Sequence, residues 1–119
     1  HERLELLHTS DIIAYPSQRE IFGLVPFEAL MSGTPVIVSD DCGCGEIIEQ
    51  SEGGLVVPYG DIHQLTQGIS KLLYTPSLGR AMVNKGQNYI RNHLSMEAVA
   101  SAHLTLYNEI LHSQRLQSD

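Results

Sequence analysis

Asp11-Ile12-Ile13-Ala14-Tyr15-Pro16-Ser17 is a short apolar run stopped by proline, and Pro35-Val36-Ile37-Val38-Ser39 is a second, β-branched one. Each has the length and composition of a strand buried in a parallel sheet. Between them Gly23 precedes Leu24 to Met31, whose apolar positions recur at helical spacing until Ser32-Gly33. Pro26 falls in the first turn of that helix, where a missing N–H costs little. Gly33 stands where a helix end calls for a left-handed residue. The fold turns on this strand-helix-strand unit.

The pattern continues downstream. A loop holding Gly43 and Gly45 leads to a short helix from about Glu46 to Gln50. Gly53-Gly54 then turns the chain into a third strand, Leu55-Val56-Val57, closed by Pro58-Tyr59-Gly60. Asp61 is a good N-cap for a helix running to about Tyr74. Two more helical patterns follow, about Pro76 to His93 and Ser95 to Ser113, and the polar stretch Ser113 to Asp119 reads as a frayed tail. Ser95 with Ala98 fits a helix start less well than a capping box would.

Alternating strands and helices predict an α/β fold, a Rossmann-like parallel sheet with flanking helices. Three strands are few, since a doubly wound domain has about five or six, so the missing half is expected on the N-terminal side. The opening His1-Glu2-Arg3-Leu4-Glu5-Leu6-Leu7 lacks an initiator Met and reads as the middle of an amphipathic helix, as expected of a fragment. An open sheet edge predicts self-association or aggregation.

Bulk properties narrow the function. The 119 residues and 13.1 kDa suit one domain at most. A formal charge of −7 and a pI near 5.2 argue against nucleic acid and anionic membranes. No apolar run reaches the ~20 residues of a membrane span, and no signal peptide opens the chain. Cys42 and Cys44, one residue apart, would form a strained disulfide and cannot complete a zinc site, so they read as free thiols of a reducing compartment. The histidines at 8, 63, 93, 103 and 112 show no ligand pairing, although His103 and Tyr107 share a helical face. A cytoplasmic location is expected, with peripheral attachment to a membrane allowed.

Ligands of open parallel sheets bind at the carboxyl ends of the strands, near helix N-termini. The loop from Gln18 to Gly23 runs from that edge into a helix whose first amides, those of Gly23, Leu24 and Val25, are expected to lack intrahelical acceptors. Glu20 lies on this loop, and Glu28 is one turn inside the helix, roughly 6 Å along the axis from Leu24. Carboxylates accept hydrogen bonds from sugar or ribose hydroxyls. The plainer alternative makes both acids solvated surface charges. Against it, Glu28 sits between Phe27 and Ala29 in an otherwise apolar helix, where a carboxylate needs a partner.

The stretch from Tyr15 to Ser39 closely resembles the donor-site signature of retaining glycosyltransferases of the two-Rossmann-domain (GT-B) type, glycosyl transferases group 1. A Glu, seven residues and a second Glu, with Phe22-Gly23-Leu24 between them and Gly33-Thr34-Pro35-Val36 after, carry the likeness. Asp40 to Ile48, Gly54 to Pro58 and Gly60-Asp61 resemble the elements that follow, so the resemblance covers about residues 6 to 75. It implies a partial C-terminal donor-binding domain over residues 1–93, with a C-terminal helix and tail over 94–119. The parent enzyme would be a hexosyltransferase that transfers a sugar from a nucleotide-diphosphate donor with retention of configuration, with no cofactor and no obligatory metal. Its acceptor is left open between polysaccharide, glycolipid and small molecule.

By resemblance, Glu20 is the catalytic group that meets the donor sugar. The donor-binding set is Glu20, Phe22, Gly23, Leu24, Val25 and Glu28, with backbone amides on the phosphates and Glu28 on the ribose. Two departures stand out: Ile21 replaces the usual Gly, which narrows the loop beside the sugar, and Cys42-Gly43-Cys44-Gly45 replaces a Gly-Gly-x-Pro run. Arg19 is the only Lys or Arg between Leu4 and Ser70, so the cations that a diphosphate leaving group needs would come from earlier strands of the parent. The acceptor-binding N-terminal domain of the parent is also expected as a partner. Alone, the chain is expected to be inactive. The other class of function compatible with these residues is a non-catalytic nucleotide- or sugar-binding or interaction module.

Overall fold

A computed structural model describes residues 2–116, with side chains to residue 113. The chain divides into two compact units, His1–Tyr89 and Ile90–Asp119. The first holds, in order, α1 (Glu2–Thr9), β1 (Ile13–Tyr15), α2 (Val25–Met31), β2 (Val36–Ser39), α3 (Gly43–Gln50), β3 (Leu55–Val57), α4 (Ile62–Tyr74) and α5 (Pro76–Tyr89). The strands form one parallel sheet ordered β1-β2-β3, with Ala14 level with Ile37 and Ile37 level with Leu55. This is the expected α/β arrangement.

The centre of the sheet explains its stability. β2 is buried along its whole length, because side chains alternate between faces and both faces are covered. Ile37 points into a cluster with Val57 and Leu72, with Leu65, Ile69 and Met82 packed around it. Its neighbour Val36 faces the other way, toward Ile48 of α3. Removing a side chain such as Ile37 from this core costs about 2–5 kcal/mol.

Local signals placed most boundaries correctly. α2 ends in a Schellman motif, with Gly33 N donating to Leu30 O (3.0 Å) and Thr34 N to Ala29 O (2.9 Å). Asp61 caps α4 by accepting from the Gln64 amide at 2.9 Å. Three expectations need correction. β1 is half-exposed rather than buried, because it forms an edge of the sheet among the described residues. α3 starts at Gly43, not near Glu46, because contacts from the neighbouring loop hold the glycine-rich stretch in a helical turn. α5 stops at Tyr89, and the chain continues in a π-helical turn, Ile90–Leu94, instead of one helix to His93.

In the second unit, that turn precedes α6 (Met96–Leu116). Ser95 accepts from the Ala98 amide at 3.2 Å, so it caps α6 without a full capping box. The His103 and Tyr107 rings meet edge-on at 6.2 Å. α6 runs past Ser113, and residues 117–119 of the expected tail lie outside the described residues. Among the described residues no helix is long and apolar enough to cross a membrane.

Candidate functional site

The loop between β1 and α2 is fixed from its neighbours more than from within. Ser39, at the end of β2, donates its hydroxyl to Ser17 O. Arg19 adopts a left-handed backbone (φ 53°), which swings Glu20 beside the start of α3. There Glu20 and Cys42 pair as an isolated parallel bridge, and Gly43 N donates to Glu20 O at 3.0 Å. Gly43 is required by closeness of approach: a Cβ at this position would lie 1.9 Å from Ile21 O. The glycine-rich departure at 42–45 thus presses on the very loop that carries Glu20.

Around Glu20 the side chains converge. Tyr15, the last residue of β1, donates its hydroxyl to Glu20 Oε2 at 3.2 Å. Burial first, and then the Glu20 charge, raise the Tyr15 pKa, so the phenol keeps its proton and remains a donor. Gly23 has φ 80° and lies against the Tyr15 ring, where a Cβ would sit 3.1 Å from Cε1. Phe22 stacks on Phe27 with ring centroids 5.3 Å apart, anchoring the loop to α2. Ile21, expected to narrow the loop, is 94% exposed. An open cleft of about 320 Å³ is lined by Arg19, Glu20, Ile21, Asp40, Asp41, Cys42, Gly43 and Glu46. Its four carboxylates and single guanidinium suit a hydroxyl-rich ligand better than an isolated phosphate.

Glu28 has separate surroundings. Arg3 of α1 forms an ion pair with its Oε1. Its Oε2 is buried and has no hydrogen-bond partner among the described residues. The Gly23, Leu24 and Val25 amides likewise find no protein acceptor there, and Leu24, at the cap of α2, accepts no side-chain bond in its place. So the structure puts Glu20 and its loop beside α3, and Glu28 beside α1, along one continuous loop-helix segment.

The thiols are packing groups. Cys42 donates to Ser39 O at 3.1 Å, and the two Sγ atoms are hydrogen-bonded at 3.0 Å with no disulfide between them. Cys44 is fully buried, which together with the Cys42 thiol pushes its pKa up to about 12. Among the described residues no three His, Cys, Asp or Glu side chains are grouped to hold a metal ion.

Sequence reasoning missed Tyr15, Gly43 and Arg3. Tyr15 left a signal, since a hydroxyl-bearing aromatic at the carboxyl end of a strand reaches the ligand edge. Gly43 and Arg3 left none, because their roles depend on which loop and which helix come to lie beside them.

The structure thus holds two glutamates near the carboxyl edge of a short parallel sheet, each bonded through one carboxylate oxygen. Residues 1–89 match the model of the family Glycosyl transferases group 1, and the chain belongs to that family. It is 36% identical over 84% of its length to the lipopolysaccharide core biosynthesis mannosyltransferase LpcC of Rhizobium leguminosarum bv. viciae, covering 28% of that protein. Sucrose-phosphate synthase from Thermosynechococcus elongatus superposes with a TM-score of 0.76 at 32% identity, over 95% of this chain and 29% of that one. WaaG, a glycosyltransferase involved in lipopolysaccharide biosynthesis, gives a TM-score of 0.65 at 28% identity, over 71% and 23%. The chain therefore spans less than a third of the length of the relatives it matches.

Proposed function

We propose that the protein transfers a hexose from a nucleotide-diphosphate donor to an acceptor with retention of configuration, and that this chain carries the sugar and ribose side of the donor site. The observation that carries this reading is Glu28: a carboxylate oxygen buried without a donor in an apolar helix. Such an oxygen costs on the order of 1–3 kcal/mol, and a ribose hydroxyl supplies the missing hydrogen bond. Glu20, in its acidic cleft, accepts from the hydroxyls of the sugar and places the anomeric carbon. The Gly23, Leu24 and Val25 amides face the phosphates, and Phe22 keeps their loop against α2.

In this mechanism Glu20 positions the sugar and stabilises charge at the anomeric carbon. The departing phosphate takes the proton of the acceptor on the same face, which gives retention. Arg19 is the one cation in the cleft, so the phosphate clamp comes from outside this chain. The isolated chain is then inactive and binds donor weakly. A basic phosphate-binding region, an acceptor-binding N-terminal domain and a cytoplasmic setting complete the proposal.

The test is a calorimetric titration of the full-length protein with UDP, GDP and ADP, comparing wild type with Glu28→Ala. One nucleotide should bind, and the substitution should weaken it by about 1–3 kcal/mol. If no nucleotide binds, or the variant binds as well as wild type, the non-catalytic module takes the place of this reading.

A further inference from the structure

We infer that Tyr15 is a positioning residue for Glu20, and that its hydroxyl governs recognition of the donor sugar but not of the nucleotide. This rests on the assignment of Glu20 to the sugar. The backbone of Glu20 is fixed independently of its side chain, by the Gly43 N–H on its carbonyl and by its bridge to Cys42. What remains free is the side-chain torsions of an exposed carboxylate, which in water samples several rotamers. The Tyr15 hydroxyl, 3.2 Å from Oε2, is the side-chain donor to that carboxylate among the described residues. It selects one orientation and leaves Oε1 for a ligand.

Tyr15 is itself well held. It closes β1 in register with Val38, so its Cα is set by the sheet. Gly23 packs against it: a Cβ there would come within 3.4 Å of both the Tyr15 hydroxyl and Glu20 Cγ. Tyr15, Glu20 and Gly23 thus form one packed triangle, tight at Gly23, where a Cβ would press on the Tyr15 ring and the backbone, at φ 80°, disfavours a side chain. A carboxylate fixed in this way loses little side-chain entropy on binding, and that pre-organisation favours the ligand. The raised pKa of Tyr15 is consistent with this role, because the donor survives into alkaline pH.

A ring serving only as packing would work equally well as phenylalanine, so Tyr15→Phe separates the two roles. The experiment measures, on the full-length protein, affinity for UDP against UDP-glucose, GDP against GDP-mannose and ADP against ADP-glucose, and reports the ratio within the pair that binds. In wild type the sugar should raise affinity. Tyr15→Phe should reduce that gain about three- to tenfold, the effect of one hydrogen bond, with affinity for the bare nucleotide and melting temperature unchanged. Glu20→Gln should abolish the gain, and adding Tyr15→Phe to it should change nothing further. If Glu20→Gln abolishes the gain but Tyr15→Phe preserves it, Tyr15 is packing and the inference is overturned alone. The same holds if Tyr15→Phe weakens bare nucleotide equally, or keeps its effect beside Glu20→Gln. If the sugar adds nothing in wild type, or Glu20→Gln leaves the gain intact, the assignment of Glu20 fails and takes the inference with it.

Discussion

α2 and α4 both begin at the carboxyl edge of the same sheet, and they begin in opposite ways. α4 is closed by its own sequence: both oxygens of Asp61 are taken by Gln64, one by the amide and one by the side chain, each at 2.9 Å. The preceding turn is tied down as well, by the Tyr59 amide on Asp40 at 2.8 Å. α2 starts at Leu24 with no side-chain cap, and its entry loop is gripped from outside, by Ser39 of β2 and Gly43 of α3. A helix start that satisfies itself is structural. One whose first amides are left open, on a loop held by β2 and α3, has donors free for a ligand, which is the role proposed for it.

The sharpest way to break this contrast is Gly43→Ala. A methyl group 1.9 Å from Ile21 O and 2.8 Å from Ile21 C must displace either the Glu20 loop or the first turn of α3. The expected cost is about 3 kcal/mol or more in chemical denaturation, with loss of donor binding. A variant as stable as wild type would mean that α3 does not hold the loop. Leu24→Asp puts negative charge where phosphate is proposed to sit, so nucleotide affinity should fall. Pro26 has no N–H and the Phe27 amide already donates to Leu24 O, so the melting temperature should stay near wild type.

Asp61→Ala should lower the melting temperature and leave nucleotide affinity alone. The Gln64 amide, then its side chain, hold the Asp61 carboxyl below its usual pKa. A lowered folded pKa means that this stabilisation is present above the unfolded value, about 3.9, and is lost as pH falls through the folded one. The gap in melting temperature between wild type and Asp61→Ala should therefore be full at pH 7 and close only on acidification below about pH 4. The smallest effect is expected at Glu52. Lys85 lowers its pKa, but both side chains are exposed and neither belongs to the start of α2 or α4, so Glu52→Gln should leave melting temperature and binding at wild-type values.

The same contrast shows why some features were legible in the sequence. The Asp61 cap and the Gly33 terminus depend on residues three or four apart, and the chain alone reveals them. The order of strands and helices follows from runs such as Val36–Ser39, whose composition states their burial. The start of α3 was hidden, since Gly43 and Gly45 signal a loop unless Ile21 and Glu20 are known to pack against them. Glu28 was seen to need a partner, yet Arg3 could not be named, because it is 25 residues away and depends on how α1 meets α2. Tyr15 opens the donor-like stretch, yet its hydroxyl gains meaning only once Glu20 folds back toward it.

The central claim is that the β1–α2 edge, and not the β3–α4 edge, receives the donor. Amide hydrogen exchange of the full-length protein, with and without the nucleotide-sugar that binds, tests it most directly. The claim predicts slower exchange across residues 20–28 on binding, and unchanged exchange across residues 58–64. Protection at 58–64 with none at 20–28 would contradict it and place the ligand at the helix start that its own sequence closes.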